Sequence, residues 1–234
     1  RPERAQTRSV EGPSAVTSID PTGTKLDFGA NELFFSTTDP QGRIQQANDV
    51  FVRLAKFGHD QLIDSAHNIV RHPDMPGGVY RLLWDSIQAK RPFAGYIRNL
   101  SADGSHYDVF ATVTALPHGG YLSVRSRPMD PARETMVFET YQGIRKKEQE
   151  SRASGATARD CAAVGAAALE SAVRDLGYDG YSDFQRRTLI DEVTLREEEL
   201  AGSLGMVITN TIDLVVRAAL GAVSYTHLRA HETE

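Results

Sequence analysis

The stretch HNIVRHPDMP, residues 67–76, is the most informative part of this 234-residue chain. It places Arg71, His72 and Asp74 within four residues, beside two prolines that restrict the backbone and remove hydrogen-bond donors. Such a stretch fits neither a central strand nor the middle of a helix. A rigid and polar segment of this kind is typical of a loop that faces a ligand.

Five strands are predicted around this stretch from runs of apolar and β-branched residues bounded by turn residues. They cover residues 33–38, 43–47, 93–100, 106–116 and 121–127. The Asp103-Gly104 pair between the third and fourth runs indicates a hairpin, because both residues tolerate positive φ.

Helices are predicted between the second and third strands, where apolar residues recur at helical spacing. They cover residues 49–57, 59–63 and 79–89. The resulting order of two strands, three helices and three strands predicts an α+β domain. We expect a five-stranded antiparallel sheet with helices on one face.

From residue 130 onward the pattern is helical. Helices are expected over 131–152, around 161–176, from a cap at Ser182 to 200, and over 203–221, with glycines separating the second from the third. We place the boundary between the sheet domain and the helical region at residues 128–131.

Composition excludes several classes of protein. A net charge of -5 argues against a nucleic-acid partner. A single cysteine, Cys161, excludes an intrachain disulfide and a zinc thiolate cluster, and it suits a cytoplasmic location. Residues 204–223 are apolar, but Asp213 and Arg217 at their centre argue against a membrane span.

Both ends of the chain look unusual. Residues 1–30 are rich in Thr, Ser, Pro and Gly and lack periodicity, so we expect a flexible lead-in. The last eleven residues, SYTHLRAHETE at 224–234, resemble a translated sequencing adapter. We therefore expect an artefact tail and a truncated helical region over 131–223.

Taken together, these features resemble a PAS sensor domain, and more closely the PAS domain of bacterial aerotaxis receptors. The resemblance covers residues 31–128 and depends mainly on residues 67–76. The other matching positions are Phe35–Asp39, Ala47–Asp49, Phe51, Trp84, Gly95, Asn99, Asp103–Gly104, His106–Tyr107 and Ser123–Arg125. It implies noncovalently bound FAD, whose redox state is reported to a helical signalling module.

The resemblance also implies where the flavin binds. Arg71 would offer its fixed donors to a phosphate or a flavin carbonyl. Asn48 and Asn99 can each donate and accept hydrogen bonds at the edge of the flavin ring. The candidate cofactor-binding residues are Asn48, Arg71, His72, Asp74, Trp84, Phe93, Asn99 and Tyr107.

Two positions depart from the family pattern. Phe93 stands where the family often has tryptophan, and it keeps an apolar surface. Asp108 stands where the family has an aromatic residue, and a carboxylate near a flavin disfavours its anionic forms. Alternation along the strand can instead point Asp108 to the opposite face, so both orientations stay open.

Purely structural roles stay open for the same residues. Arg71 and Asp74 can form an internal ion pair that holds the loop. Asn48 can act only as a helix cap, and Trp84 only as a core residue. His72 can serve only to bond the backbone, and a strand-end Arg125 can be exposed.

We expect a sensory protein and not an enzyme, because the sequence lacks a nucleophile elbow, a phosphate-binding loop and a dinucleotide fingerprint. No metal site is expected. The alternatives are a cofactor-free PAS module for dimerisation or protein–protein interaction, and a haem-binding oxygen sensor with His59 or His67 as axial ligand. The expected partners are a second copy, joined through the PAS domain and C-terminal helices, and a downstream signalling module or protein.

Overall fold

The computed structural model describes residues 19–201. The strands are β1 (Phe34–Thr38), β2 (Ile44–Ala47), β3 (Phe93–Leu100), β4 (His106–Ala115) and β5 (Tyr121–Ser126). The helices are α1 (Asp49–Ala55), α2 (His59–Leu62), α3 (Gly77–Gln88), α4 (Pro131–Ala153), α5 (Ala158–Asp175) and α6 (Tyr181–Ala201). The helix predicted over 203–221 and the tail at 224–234 lie outside the described residues. Within residues 19–201 no helix is both long and apolar enough to cross a bilayer.

The five strands form one antiparallel sheet in the order β2-β1-β5-β4-β3. The chain between β2 and β3 carries α1, α2, a 3-10 turn at His67–Val70 and α3. The α+β class and the antiparallel sheet predicted from the sequence are therefore confirmed. β5 lies in the middle of the sheet, so both of its edges are hydrogen-bonded to neighbouring strands.

The segment before β1 is held against the β3–β4 hairpin. The backbone N–H of Thr22 donates to the carbonyl of Gly104 at 2.8 Å, and Leu26 donates to His106 at 2.7 Å. Gly104 has φ +81, as its predicted turn requires. Residues 22–26 were expected to belong to a flexible lead-in, and they instead extend along the start of β4.

Helices α4 and α6 pack on the sheet face opposite to α3, whereas α5 packs on α3 and α4. Side chains alternate along β3, so Ile97 faces α3 while Tyr96 and Arg98 face the other way. The Tyr96 hydroxyl donates to Glu192 of α6 at 2.7 Å, and the Arg98 guanidinium lies 4.4 Å from the ring centre of Phe138 in α4. The apolar core is continuous across the predicted boundary at residues 128–131.

α6 also covers the outer edge of the sheet. The backbone N–H of Ala94 in the edge strand β3 donates to the side-chain oxygen of Gln185 at 2.8 Å. Such a contact blocks pairing of the edge with another chain. Gly177 and Gly180 separate α5 from α6 with φ +87 and +103. Ser182 was predicted to cap α6, but the helix begins one residue earlier and includes it.

Two glycines allow α5 to approach α3 closely. A Cβ atom built on Gly78 of α3 would lie 2.3 Å from the carbonyl carbon of Gly165 and from the backbone nitrogen of Ala166. The buried carboxylate of Glu148 in α4 accepts from the backbone N–H groups of Gly77 and Gly78 at 2.9 and 2.8 Å. The first turn of α3 is therefore held by both α4 and α5.

Candidate functional site

A cavity of about 320 Å³ lies between the sheet and α3. This volume is at the lower end of the range for small-molecule sites, roughly 300–1,000 Å³. The lining residues come from the turn between β1 and β2, the 67–76 stretch with the residue before it, α3 and the inner face of the sheet. They are Thr38, Gln41, Gly42, Ala66, His67, Asn68, Arg71, Tyr80, Leu83, Trp84, Ile87, Ile97, Asn99, Ala111, Val113, Tyr121, Ser123 and Arg125.

Three of the eight candidate residues, Arg71, Trp84 and Asn99, line this cavity. The backbones of Arg71 and Asn99 form an isolated antiparallel bridge, which brings the 67–76 stretch against β3. The Arg71 guanidinium lies 4.2 Å from the ring centre of Tyr80 and donates to the carbonyl of Met75 at 3.2 Å. The stretch thus forms one wall of the cavity.

His72 and Asp74 are not among the lining residues. His72 is buried, its Nδ1 accepts from the backbone N–H of Asp74 at 3.2 Å, and its ring centre lies 5.7 Å from that of His106. Burial lowers the pKa of His72. The Asp74 side chain is 65% exposed and lies near His72. The alternative of an Arg71–Asp74 ion pair is therefore wrong, because Arg71 faces Tyr80 instead.

Asn48 also lies outside the cavity lining. Its side-chain oxygen accepts from the backbone N–H of Phe51 at 3.3 Å, which caps α1. The same oxygen accepts from Phe35 at 3.2 Å, and its amide donates to the carbonyl of Leu33 at 3.1 Å. Asn48 thus ties the start of α1 to β1, and the structural role considered for it is present.

The aromatic candidates Phe93 and Tyr107 are fully buried in the core and not in the lining. The ring of Phe93 stacks on Tyr181 of α6, with centres 6.4 Å apart. The ring of Tyr107 packs edge-on against Phe34 at 5.9 Å. Burial raises the pKa of Tyr107, so its hydroxyl is neutral at pH 7.

Asp108 points away from the cavity, which settles the orientation that the sequence left open. Arg98 donates to its two carboxylate oxygens at 2.7 and 2.8 Å, and Lys25 lies 3.4 Å away. Burial alone would raise the pKa of Asp108, but the hydrogen bonds and charge of Arg98 outweigh it and lower the pKa. The Asp108 carboxylate therefore does not face the cavity and does not disfavour an electron-rich ligand there.

The most important residue missed from the sequence is Arg125. The interpretation of Arg125 as an exposed strand-end residue is wrong. It is only 3% exposed, because alternation along β5 turns Ser123 and Arg125 to the sheet face that the helices cover. The Nη2 of Arg125 donates to the Ser36 hydroxyl at 3.0 Å and to Nε2 of His67. Its guanidinium carbon lies 4.8 Å from the ring centre of Phe51. The sequence signal that could have predicted this position is the alternation along the strand, which puts Tyr121, Ser123 and Arg125 on one face.

His67 completes this polar cluster. Burial, and then the charge of Arg125, lower the pKa of His67 to about 3, so the imidazole is neutral. Because a guanidinium can only donate, Nε2 of His67 is the acceptor and carries no proton. His59 is exposed on α2 and absent from the cavity lining. This geometry gives no support to either histidine as a haem ligand, and among residues 19–201 no three potential metal ligands come together.

Two buried donors of the cavity lack an acceptor within the described part of the chain. They are Nη1 of Arg125 and the side-chain amide nitrogen of Asn99. Leaving one such donor unpaired costs about 1–3 kcal/mol, and more when it is charged. The cavity therefore offers two hydrogen bonds and one positive charge to a bound molecule.

Acidification is expected to destabilise the protein through His67. Its pKa is about 3 in the folded chain against 6.5 ordinarily, so between these values the unfolded chain binds more protons. Stability should then fall as the pH drops below 6.5, by up to about 1.4 kcal/mol per pH unit from this residue. Urea unfolding across this pH range should show a shallower dependence for His67→Gln. The same change at exposed His59 is the control. If the free energy of unfolding of wild type and of His67→Gln depends equally on pH, the low pKa of folded His67 is contradicted.

Comparison with known proteins adds a family match. Residues 44–124 match the model of the PAS fold family. The aerotaxis receptor of Escherichia coli (strain K12) is 36% identical over 99 residues, which cover 41% of this chain and 20% of that protein. The nitrogen fixation regulatory protein of Klebsiella pneumoniae is 27% identical over 86 residues, covering 36% of this chain and 17% of that protein. The matched parts thus span a fifth or less of these relatives.

Solved structures also show similarity to this chain. The light-state structure of the blue-light photoreceptor Aureochrome1 LOV aligns with a TM-score of 0.41 and 18% identity, covering 45% of this chain and 88% of that chain. A PAS domain from Colwellia psychrerythraea aligns with a TM-score of 0.35 and 19% identity, covering 41% and 85%.

Proposed function

We propose that the domain around residues 44–124, which match the PAS fold family and resemble part of a bacterial aerotaxis receptor, binds FAD in its cavity and reports redox state or oxygen. A role in sensing and signal transduction follows from the domain itself. The proposal of a flavin is carried by one observation: two buried donors that line the cavity, Arg125 Nη1 and the amide of Asn99, have no acceptor in the part of the chain that the structure describes.

The lining residues fit a flavin ring system. Trp84 and Tyr121 pack edge-on with ring centres 5.5 Å apart and, with Ile97, provide apolar surface for a planar ring. Arg125 and Asn99 provide donors for the carbonyl oxygens and ring nitrogens at its polar edge. A cavity of about 320 Å³ suits the ring, so the phosphates and adenine of FAD would extend beyond it.

When bound, FAD would supply a centre that takes up and returns electrons, while the protein orients it and sets its electrostatic surroundings. Asn99 and Arg125 would orient the polar edge. Trp84 and Ile97 would exclude water from the faces of the ring. Arg71 lies at the cavity wall, where it can hold a further acceptor while its guanidinium stays on Tyr80.

We propose that the signal leaves the cavity through α3. This helix carries Trp84 and other lining residues, and its first turn is held by Glu148 of α4 and by the close approach of α5. A ligand shifts a conformational equilibrium only through contacts that differ between two states. A movement of α3 that accompanies a change of the ligand would alter the docking of both helices.

The flavin proposal predicts that the purified chain is yellow. After expression with riboflavin supplied, the protein should show flavin absorbance, and heat denaturation should release FAD on chromatography. Ile97→Trp should abolish this absorbance without loss of folding, because Ile97 lines the cavity and the larger side chain fills it. Ile190→Trp is the matched control, since Ile190 is exposed on α6.

A colourless wild-type protein that stays colourless when incubated with FAD would rule the proposal out. It would favour the rival function, a cofactor-free module for dimerisation or protein–protein interaction. Light scattering on the same sample tests the predicted homodimer. We propose a binding role and no enzymatic activity for this domain.

A further inference from the structure

We infer that Arg125 selects the ligand of this cavity by charge: it pairs, together with the Asn99 amide, with an acceptor-rich edge that carries or gains negative charge. The inference deepens the proposed function and rests on it, but part of its test needs no flavin. It assigns to Arg125 a role in specificity and not in folding.

The first observation is that the charge of Arg125 is unmatched. The residue is 3% exposed, and within residues 19–201 it forms no ion pair with a carboxylate. The acidic groups that act on it are the hydroxyls of Tyr80 and Tyr107, and burial raises the pKa of both, that of Tyr80 to about 12. Both hydroxyls are therefore neutral at pH 7. A buried charge without a partner is unfavourable, and an anionic ligand would offset that cost.

The second observation is that the guanidinium is held in place on one side only. Nη2 donates to the Ser36 hydroxyl and to the neutral His67, and the guanidinium carbon lies 4.8 Å from the Phe51 ring centre. These partners orient Arg125 but carry no negative charge. Nη1 finds no acceptor among residues 19–201, and the side chain lines the cavity. A donor held in this way is preorganised for a ligand atom.

The third observation is the position of Asn99, whose unpaired amide nitrogen supplies a second donor. Two donors with one positive charge favour an edge with two acceptors. A flavin ring has such an edge, and uptake of two electrons and one proton leaves it with one negative charge. Arg125 would therefore bind the reduced ring more tightly than the oxidised ring, which raises the midpoint potential.

The test compares Arg125→Met with wild type in the absence of ligand. Methionine removes the charge but keeps an unbranched apolar side chain. Our inference predicts a melting temperature that is unchanged or higher, because the unmatched charge is gone. A marked fall, or failure to fold, would show that Arg125 is structural and would overturn the inference.

A flavin-free probe tests charge selection directly. Benzoate combines a planar ring with an anionic edge, and benzamide is its neutral counterpart. Benzoate should raise the melting temperature of wild type, with binding at least about tenfold weaker in Arg125→Met, while benzamide binds both proteins equally weakly. Equal binding of benzoate to wild type and Arg125→Met, or none to wild type, overturns the inference.

The third measurement uses the flavin-loaded full chain. Reductive titration should give a lower midpoint potential for Arg125→Met, by about 30 mV for each tenfold loss in preference for the reduced form. Arg125→Lys keeps the charge and should retain most of the potential. Equal potentials in wild type and Arg125→Met overturn the inference even if FAD binds. If wild type binds benzoate but no FAD, the proposed cofactor is wrong and the charge selection stands.

Discussion

Gly78→Ala is expected to separate α5 from α3 and to lower the free energy of unfolding by about 3 kcal/mol. The added Cβ would lie 2.3 Å from backbone atoms of Gly165 and Ala166. Those atoms belong to a helix backbone and cannot rotate away as a side chain can. The whole of α5 must move, which exposes the apolar residues that it buries, including Leu169 and Val173.

Urea unfolding measures this effect, and hydrogen exchange over α5 locates it. Gly143→Ala is the matched control, because Gly143 is in a helix and its added Cβ would meet nothing within 4 Å. Alanine is favoured over glycine inside a helix, so this control should be stabilised by about 0.5–1 kcal/mol. If Gly78→Ala proves as stable as wild type, the close packing of α3 on α5 is not present in solution.

Glu148→Ala is expected to have the second large effect, a loss of about 3 kcal/mol. The carboxylate is 1% exposed and accepts from two backbone N–H groups at the start of α3, those of Gly77 and Gly78. Each buried N–H left without an acceptor costs about 1–3 kcal/mol. The negative charge also interacts favourably with the positive end of the helix dipole. Arg145, which lies 3.2 Å from this carboxylate, is partly exposed and can turn to water.

The measurement is again urea unfolding, with hydrogen exchange at the first turn of α3. Glu148→Gln keeps one acceptor oxygen and should lose less stability than Glu148→Ala. Glu150→Ala, at an exposed position of the same helix, should change stability little. A similar small change for Glu148→Ala would mean that α4 does not hold the first turn of α3.

These two contacts matter for function because α3 lies between the cavity and the C-terminal helices. One face of α3 carries Tyr80, Leu83, Trp84 and Ile87 toward the cavity. Its first turn is bonded to α4 and packed on α5. Weakening either contact is expected to disconnect the helices from the cavity while the sheet stays folded. Both variants therefore test the proposed transmission route.

Local signals were sufficient to predict most of the elements. The Asp103-Gly104 turn needs a residue that accepts positive φ, and Gly104 has φ +81. The five strands and the helices from α1 to α6 lie where apolar periodicity placed them, with shifts of at most three residues at the ends. Periodicity depends on neighbouring residues, so one sequence is enough to show it.

The candidate site was predicted only in part. The 67–76 stretch correctly marked a cavity wall, yet of its three charged or titratable candidates only Arg71 lines the cavity. His72 and Asp74 lie within three residues of it, yet His72 packs against His106 and the Asp74 side chain is exposed. His67 was considered as a haem ligand, and in the structure it is the acceptor for Arg125. The direction of a loop side chain depends on what packs beside it, which no local pattern reports.

The sequence by itself determined the α+β order of elements, the hairpin turns and the resemblance to a PAS domain, because these depend on local spacing and on residue type. The tertiary structure decided the rest. The packing of Ser36 and His67 against β5 buries Arg125, and the register of β4 against β3 places Asp108 beside Arg98 on the opposite face. Contacts between residues far apart in the chain determine whether a charged side chain is buried and which groups it bonds. The contacts of Arg125 with Ser36 and His67 are an example.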